Sequence, residues 1–140
     1  MELKVKRIHK AAKLPRYGHK GDAGLDLFSI GSCTLRAGEC QAIPTGIQVS
    51  IPEGHVGLIW DKSGISLSGV HRLAGVVDSG YRGEVKVVMA NLGKKDFPIE
   101  EGMKIAQLLI QPIVEVVVVD AETLEDTTRG EKGFGSTGRF

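Results

Sequence analysis

Residues 75–85 read G-V-V-D-S-G-Y-R-G-E-V. Val76 and Val77 lead into Asp78, Ser79 and Gly80 break the run, and Tyr81, Arg82 and Gly83 lead into a second apolar stretch over 85–90. The pattern predicts strand, turn, strand. The corner delivers a carboxylate, an aromatic ring and a guanidinium within five positions, 78–82. An aspartate with an ordinary pKa of about 3.9 is ionised at neutral pH, so Asp78 can accept a proton or bind a cation. Taken alone, the stretch also reads as an ordinary polar hairpin, with aspartate and glycine there for turn geometry. The rest of the chain decides between the two.

Working outward, short apolar stretches recur between turn signals, with 19 glycines spread throughout. Leu3 and Val5 alternate with Lys4 and Lys6, as in a half-buried strand. Residues 11–24 are polar and glycine-rich and read as loop, and 25–30 as a short strand followed by turns at Gly31–Ser32 and Ala37–Gly38. Ile47, Val49 and Ile51 alternate, Pro52-Glu53-Gly54 closes that strand, and 56–60 begins the next. Residues 63–68 hold one helical turn at most. Val85, Val87 and Met89 alternate again, and 98–102 reads as loop. Residues 105–110 and 113–119 are nearly continuous apolar runs split by Gln111-Pro112, the form of strands buried on both faces. There is no internal repeat and no long helix. The expected architecture is all-β, a sandwich or distorted jelly roll of roughly ten short strands. The expected division is a β domain over 1–119 and a flexible C-terminal arm over 120–140.

Composition narrows the function classes. A chain of 140 residues is one domain with a real core. The net charge of +1 gives no global field for nucleic acid or an anionic membrane. Seven of the first 20 residues are Lys or Arg, which reads as a solvated strand rather than a nucleic-acid arm, since only 5% of all residues are aromatic and no stacking platform is evident. No apolar run approaches a membrane span and no signal region follows the basic N-terminus, so a cytoplasmic protein is expected. Cys33 and Cys40 flank a turn with six residues between them; a disulfide fits, but reduced thiols are the default without an export signal. His9, His19, His55 and His71 show no metal-ligand spacing.

After Asp120 the chain turns acidic and then reads R-G-E-K-G-F-G-S-T-G over 129–138. This tail has little to bury and should be mobile when alone. Its glycines allow close backbone approach to a ligand, and Arg129, Ser136 and Thr137 are natural phosphate partners. Gly133, Gly135 and Gly138 fit G-x-G-x-x-G, but that fingerprint must open a helix in a βαβ unit. Residues 130–137 are P-loop-like, but Ser136 stands where the lysine belongs. Elsewhere, 21–29 read G-D-A-G-L-D-L-F-S, 44–46 read P-T-G, 60–66 read W-D-K-S-G-I-S, and 102–112 read G-M-K-I-A-Q-L-L-I-Q-P. Ser63 and the Gly64 amide could cradle a phosphate at the start of a helical turn. Gln107, inside an otherwise buried strand, must find hydrogen bonds, structural or to a ligand.

In this order the stretches resemble the five motifs of the trimeric dUTPase (dUTP diphosphatase) family: A-G-x-D-L, P-T-G leading to R-S-G, G-h-h-D-x-x-Y-R-G, G-x-K-I-A-Q, and R-G-x-x-G-F-G-S-T-G. They span 23–138, nearly the whole chain. The resemblance implies a jelly-roll homotrimer with shared active sites, Mg²⁺, and hydrolysis of dUTP to dUMP and pyrophosphate. It implies that Asp78 is the general base for the water that attacks the α-phosphorus, and that Asp26 holds waters of the magnesium shell. Ser63 and Gly64 would bind the middle phosphates, and Gln107 the α-phosphate or the attacking water. Tyr81 would pack under the deoxyribose, and backbone groups around Gly75 and Lys86 would read uracil. Phe134, beside Gly135, would stack on the base, and Arg129, Ser136 and Thr137 would hold the γ-phosphate.

One departure stands out. The usual arginine of R-S-G is Lys62 here, preceded by Asp61, so the charge is kept and the bidentate fork is lost. Two other readings differ in testable ways. The related dCTP deaminases, some of them bifunctional, place a catalytic glutamate ten residues after the hairpin aspartate. That position here is Val88, which cannot move protons. A non-catalytic trimeric jelly-roll binding protein would not need Asp78, Gln107 and a phosphate-binding tail together.

Overall fold

In the computed structural model, residues 1–133, 136 and 137 are described. Eleven strands and one helical turn are found among them. The strands are β1 (Lys4–Arg7), β2 (Leu25–Phe28), β3 (Cys33–Leu35), β4 (Cys40–Pro44), β5 (Ile47–Ser50) and β6 (His55–Trp60). After the turn α1 (Ser63–Ser66) come β7 (Val70–Leu73), β8 (Val76–Val77), β9 (Lys86–Asn91), β10 (Phe97–Ile99) and β11 (Lys104–Pro112). These strands pair antiparallel throughout. The all-β expectation therefore holds.

Two larger sheets carry the molecule, one ordered β2-β11-β6-β8 and one ordered β4-β9-β7, with the small pairs β1-β5 and β10-β3 beside them. One apolar cluster joins them. Leu27, Ile59, Val77, Ile105 and Leu108 come from the first sheet, and Ile43, Val70, Val87 and Met89 from the second. Period-2 alternation places these side chains on inner faces and leaves Lys4, Lys6 and Lys86 exposed.

The corner at 78–85 is not a ladder-paired hairpin. β8 pairs with β6 while β9 pairs with β4 and β7, so the two apolar stretches lie in different sheets. Ala74 (φ 58°) and Gly75 (φ 110°) cause the crossing. Two successive residues with positive φ turn the chain off β9 and onto β6, where the Ile59 amide donates to the Gly75 carbonyl at 2.8 Å. Ala74 is the only non-glycine with positive φ among the described residues.

Two sequence expectations change. Pro98 and Ile99 belong to β10, not to a loop; β10 pairs only with β3, and proline is tolerated on such an edge. Residues 113–119 form no strand. The Ile113 amide donates to the Gly54 carbonyl, and beyond it Val114 and Val116 to Val119 are 75–90% exposed. The run is apolar enough for a buried strand, but no ladder partner stands beside it among the described residues.

Candidate active site

Extending the β7–β9 register beyond Leu73↔Val88 would set Ala74 opposite Val87 and Gly75 opposite Lys86. The left-handed corner removes that strand instead. The result is a cavity of about 370 Å³ lined by Gly75, Asp78, Tyr81 and Lys86, with Ile59, Glu84 and Val88 among its other walls. Lys86 faces this slot two residues beyond the last β7–β9 pair, so its backbone edge lies where a third strand would have paired. A planar ligand with alternating donors and acceptors can take the missing strand's place. Asp78 is exposed at the rim, and its carbonyl accepts from the Tyr81 amide at 3.1 Å. The Tyr81 ring lies over Gly83 so closely that a Cβ there would overlap it.

The phosphate-binding candidates assemble separately. Lys62, Ser63, Gly64 and Gln107 line a second cavity of about 440 Å³ with Gly24 and Trp60. Ser63 and Gly64 open α1, as the sequence predicts. Apart from its neighbours along the turn, no atom of the described residues lies within 4 Å of where a Gly64 Cβ would stand, so packing within the chain does not call for glycine at that point. Glycine there leaves the backbone open to close approach from outside the chain. Gln107 donates to the Asp61 carbonyl at 2.8 Å, and its amide lies on Gly24, where a Cβ would collide with it. Ile59 and Trp60, neighbours at the end of β6, line different cavities, and the two cavities have no lining residue in common.

Asp26 lies on β2, opposite Gln107 of β11, and is 4% exposed. Lys62 Nζ meets its Oδ1 at 2.6 Å and Lys104 Nζ its Oδ2 at 2.7 Å. Burial pushes the Asp26 carboxyl pKa up, but the hydrogen bonds and charges of Lys104 and Lys62 outweigh burial and hold it below the ordinary range. Arg129, Ser136 and Thr137 are exposed, and the hydrogen bonds found around them stay inside the tail, such as Arg129 Nε to the Lys132 carbonyl at 3.1 Å. Phe134 and Gly135 lie outside the described residues.

Sequence reasoning gave no role to Asp61, Arg72 or Glu84. Asp61 Oδ1 accepts from the Arg72 amide and Oδ2 meets His71 Nδ1, each at 2.7 Å. Arg72 stacks on Trp60, 4.9 Å from the ring centroid, and donates to the Ala74 carbonyl at 2.6 Å. Asp61 thus ties the Gln107 cavity to the left-handed corner of the slot. Glu84 holds the Gly46 amide at 2.9 Å and stands 3.7 Å from Lys86 Nζ. The i, i+2 spacing of Glu84 and Lys86 was the available signal; the Asp61 contacts had none.

A dUTPase family profile matches residues 10–138. The chain belongs to the dUTPase family. It is 50% identical to a deoxyuridine 5'-triphosphate nucleotidohydrolase of Clostridium kluyveri, over 99% of each chain. Among solved structures it is similar to the dUTPase of Staphylococcus bacteriophage 80alpha with dUpNHpp, at 34% identity and TM-score 0.91, covering 98% of each chain. A dUTPase variant from phage phi11 of S. aureus is similar at 30% identity and TM-score 0.82, covering 90% of this chain and 100% of that one, and is described with a structural Mg(II) ion. In this dUTPase-family chain, the slot is thus built by the third motif, and the cavity of Ser63 and Gln107 by the first, second and fourth together. No helix among the described residues is long and apolar enough to cross a membrane.

Proposed function

We propose that this chain hydrolyses dUTP to dUMP and pyrophosphate, which limits uracil incorporation into DNA and supplies dUMP. The observation that carries the reading is the slot, where Asp78, Tyr81, Gly75 and Lys86 line one cavity. The uracil edge pairs with the backbone around Gly75 and Lys86. The Tyr81 ring supports a deoxyribose and leaves no room for a ribose 2′-OH. Asp78, exposed at the rim, takes a proton from the water that attacks the α-phosphorus, the bond from that phosphorus to the bridging oxygen breaks, and pyrophosphate leaves dUMP behind. Ser63, the Gly64 amide and Gln107 hold the phosphates in line for that displacement.

Among the described residues no three His, Cys, Asp or Glu side chains gather as a metal cage. Mg²⁺, when bound, would rest on the nucleotide's phosphate oxygens and on waters that it keeps, rather than on a cage of protein side chains. So held, it would neutralise charge on the triphosphate.

The reading extends to a homotrimer with shared sites. Its support is the division of the candidate residues between two cavities without a common wall, and the exposed apolar run over 113–119, which a neighbouring subunit's sheet would cover. Residues 120–140 then act as an arm that brings Arg129, Ser136 and Thr137 to the γ-phosphate, with Phe134 and Gly135 over the base, at a site built by other subunits.

The test is a panel of dUTP, dCTP, dTTP and UTP assayed for pyrophosphate and ammonia with and without Mg²⁺. Pyrophosphate from dUTP alone, without ammonia from dCTP, is expected. No pyrophosphate from dUTP overturns the reading, and ammonia from dCTP moves it to the deaminases, against which Val88 in the slot wall argues.

A further inference from the structure

Asp26 is a buried carboxylate with both oxygens already engaged by lysines, at 2.6 Å and 2.7 Å. Its backbone amide donates to the Arg16 carbonyl at 2.8 Å, and Gly18 of the same loop lies over it, where a Cβ would stand 3.9 Å from Oδ2. With both oxygens taken by ammonium groups and the side chain buried, Asp26 is already satisfied before any hydrated Mg²⁺ approaches. The lysines, by contrast, are open: their side chains are 31% and 44% exposed, against 5% for Asp26. Lys104 reaches the carboxylate because the β2–β11 register shifts between Lys104 and Ala106. Such a bulge re-aims a side chain. Lys62 lines the phosphate cavity beside Ser63 and Gly64.

We propose that Asp26 is a positioning residue: it clamps the ammonium groups of Lys62 and Lys104 beside the Ser63–Gly64 turn and acts on the nucleotide's phosphates through them, not through a metal's water shell. An arginine carries a rigid planar fork, whereas lysine is a point charge on a flexible stem. The clamp supplies the orientation that the fork would have given. An ammonium has three donors, so Lys62 keeps donors for phosphate after bonding Asp26. Two lysines on one carboxylate also leave the cluster net positive, as an anion site requires. The inference rests on the dUTP-hydrolase reading above.

The experiment measures dUpNHpp affinity by calorimetry, in EDTA and in Mg²⁺, for the wild type, Asp26→Asn, Lys62→Met, the double variant and Lys104→Met, with melting temperatures as a control. In EDTA, Asp26→Asn and Lys62→Met are each expected to weaken binding about tenfold, the scale of one charge-assisted hydrogen bond. The double variant should be no weaker than the weaker single variant, and the ratio of Mg²⁺ to EDTA affinity in Asp26→Asn should match wild type. Lys104→Met, whose side chain is not in the cavity wall, should also weaken metal-free binding. This variant decides the matter if Asp26→Asn does not fold, and unchanged affinity then overturns the proposal. Wild-type metal-free affinity in Asp26→Asn with a lost Mg²⁺ enhancement overturns it, as do fully additive effects of the two substitutions. A wild type that binds no dUpNHpp in either buffer instead overturns the functional reading on which the proposal stands.

Discussion

The Tyr81 hydroxyl donates to the Glu84 carbonyl at 3.0 Å, which pins the ring across Gly83. Ring position is therefore set by the chain before any sugar arrives. Tyr81→Ala should narrow the gap in kcat/KM between dUTP and UTP. Gly83→Ala should do the same without touching the ring chemically, because the new methyl displaces it. Steady-state kinetics on both nucleotides checks this, and an unchanged ratio in both variants means the sugar is read elsewhere.

Asp78→Asn keeps the size of an exposed side chain and removes its basicity. Binding of dUpNHpp and the melting temperature should stay near wild type. Turnover should fall by about 10²–10⁴, the range for loss of a general base. Near-normal turnover would sink the assignment.

Gly24→Ala pushes a methyl into the Gln107 amide. The expected result is a weaker KM for dUTP and a stability loss of about 1–3 kcal/mol, the usual cost of overpacking. Denaturant unfolding and kinetics together read both effects.

Much of this is legible in the chain itself. Ile47 and Val49, or Val85, Val87 and Met89, alternate cleanly, and strands form there. β3, β4, β7 and β10 give a weaker signal because they run only three to five residues, because Gln41 and Arg72 stand at half-buried positions, and because Pro98 reads as a strand breaker. Residues 113–119 mislead because their composition reports a covered strand, and the cover is not in this chain's own sheets. Motifs name the site residues but cannot show that they fall into two cavities, nor that Asp26 faces two ammonium groups. Those depend on pairings such as Gln107↔Asp26, whose members lie 81 residues apart.

The tail offers a further test. Residues 128–133 make no long-range hydrogen bond among those found, so deleting 128–140 should leave the melting temperature nearly unchanged while activity collapses. Asp78→Asn chains keep the tail, and truncated chains keep Asp78. Mixed trimers, verified by mass after subunit exchange, should recover dUTP turnover. Activity no greater than the two parents summed would refute shared sites.

The Asp26 carboxyl, pushed up by burial but held lower by Lys104 and Lys62, fixes an acid limit. A carboxyl whose pKa is lower folded than unfolded adds stability that is complete above the unfolded value of about 3.9 and is lost as pH falls through the folded one. The melting-temperature gap between wild type and Asp26→Asn should be flat above about pH 5 and shrink below about pH 4. A gap that persists at lower pH would show that Asp26 acts there without its charge.

Because β8 and β9 belong to different sheets, the slot between them is a caliper set by the interior. Val77 and Val85, both buried, form the back of its walls and space its jaws. Exchanging either for a slightly larger or smaller residue would open or close the gauge on a base by fractions of an ångström. On the proposed reading, the fit of the base would thus be adjustable from the core, while every residue at the rim stays the same.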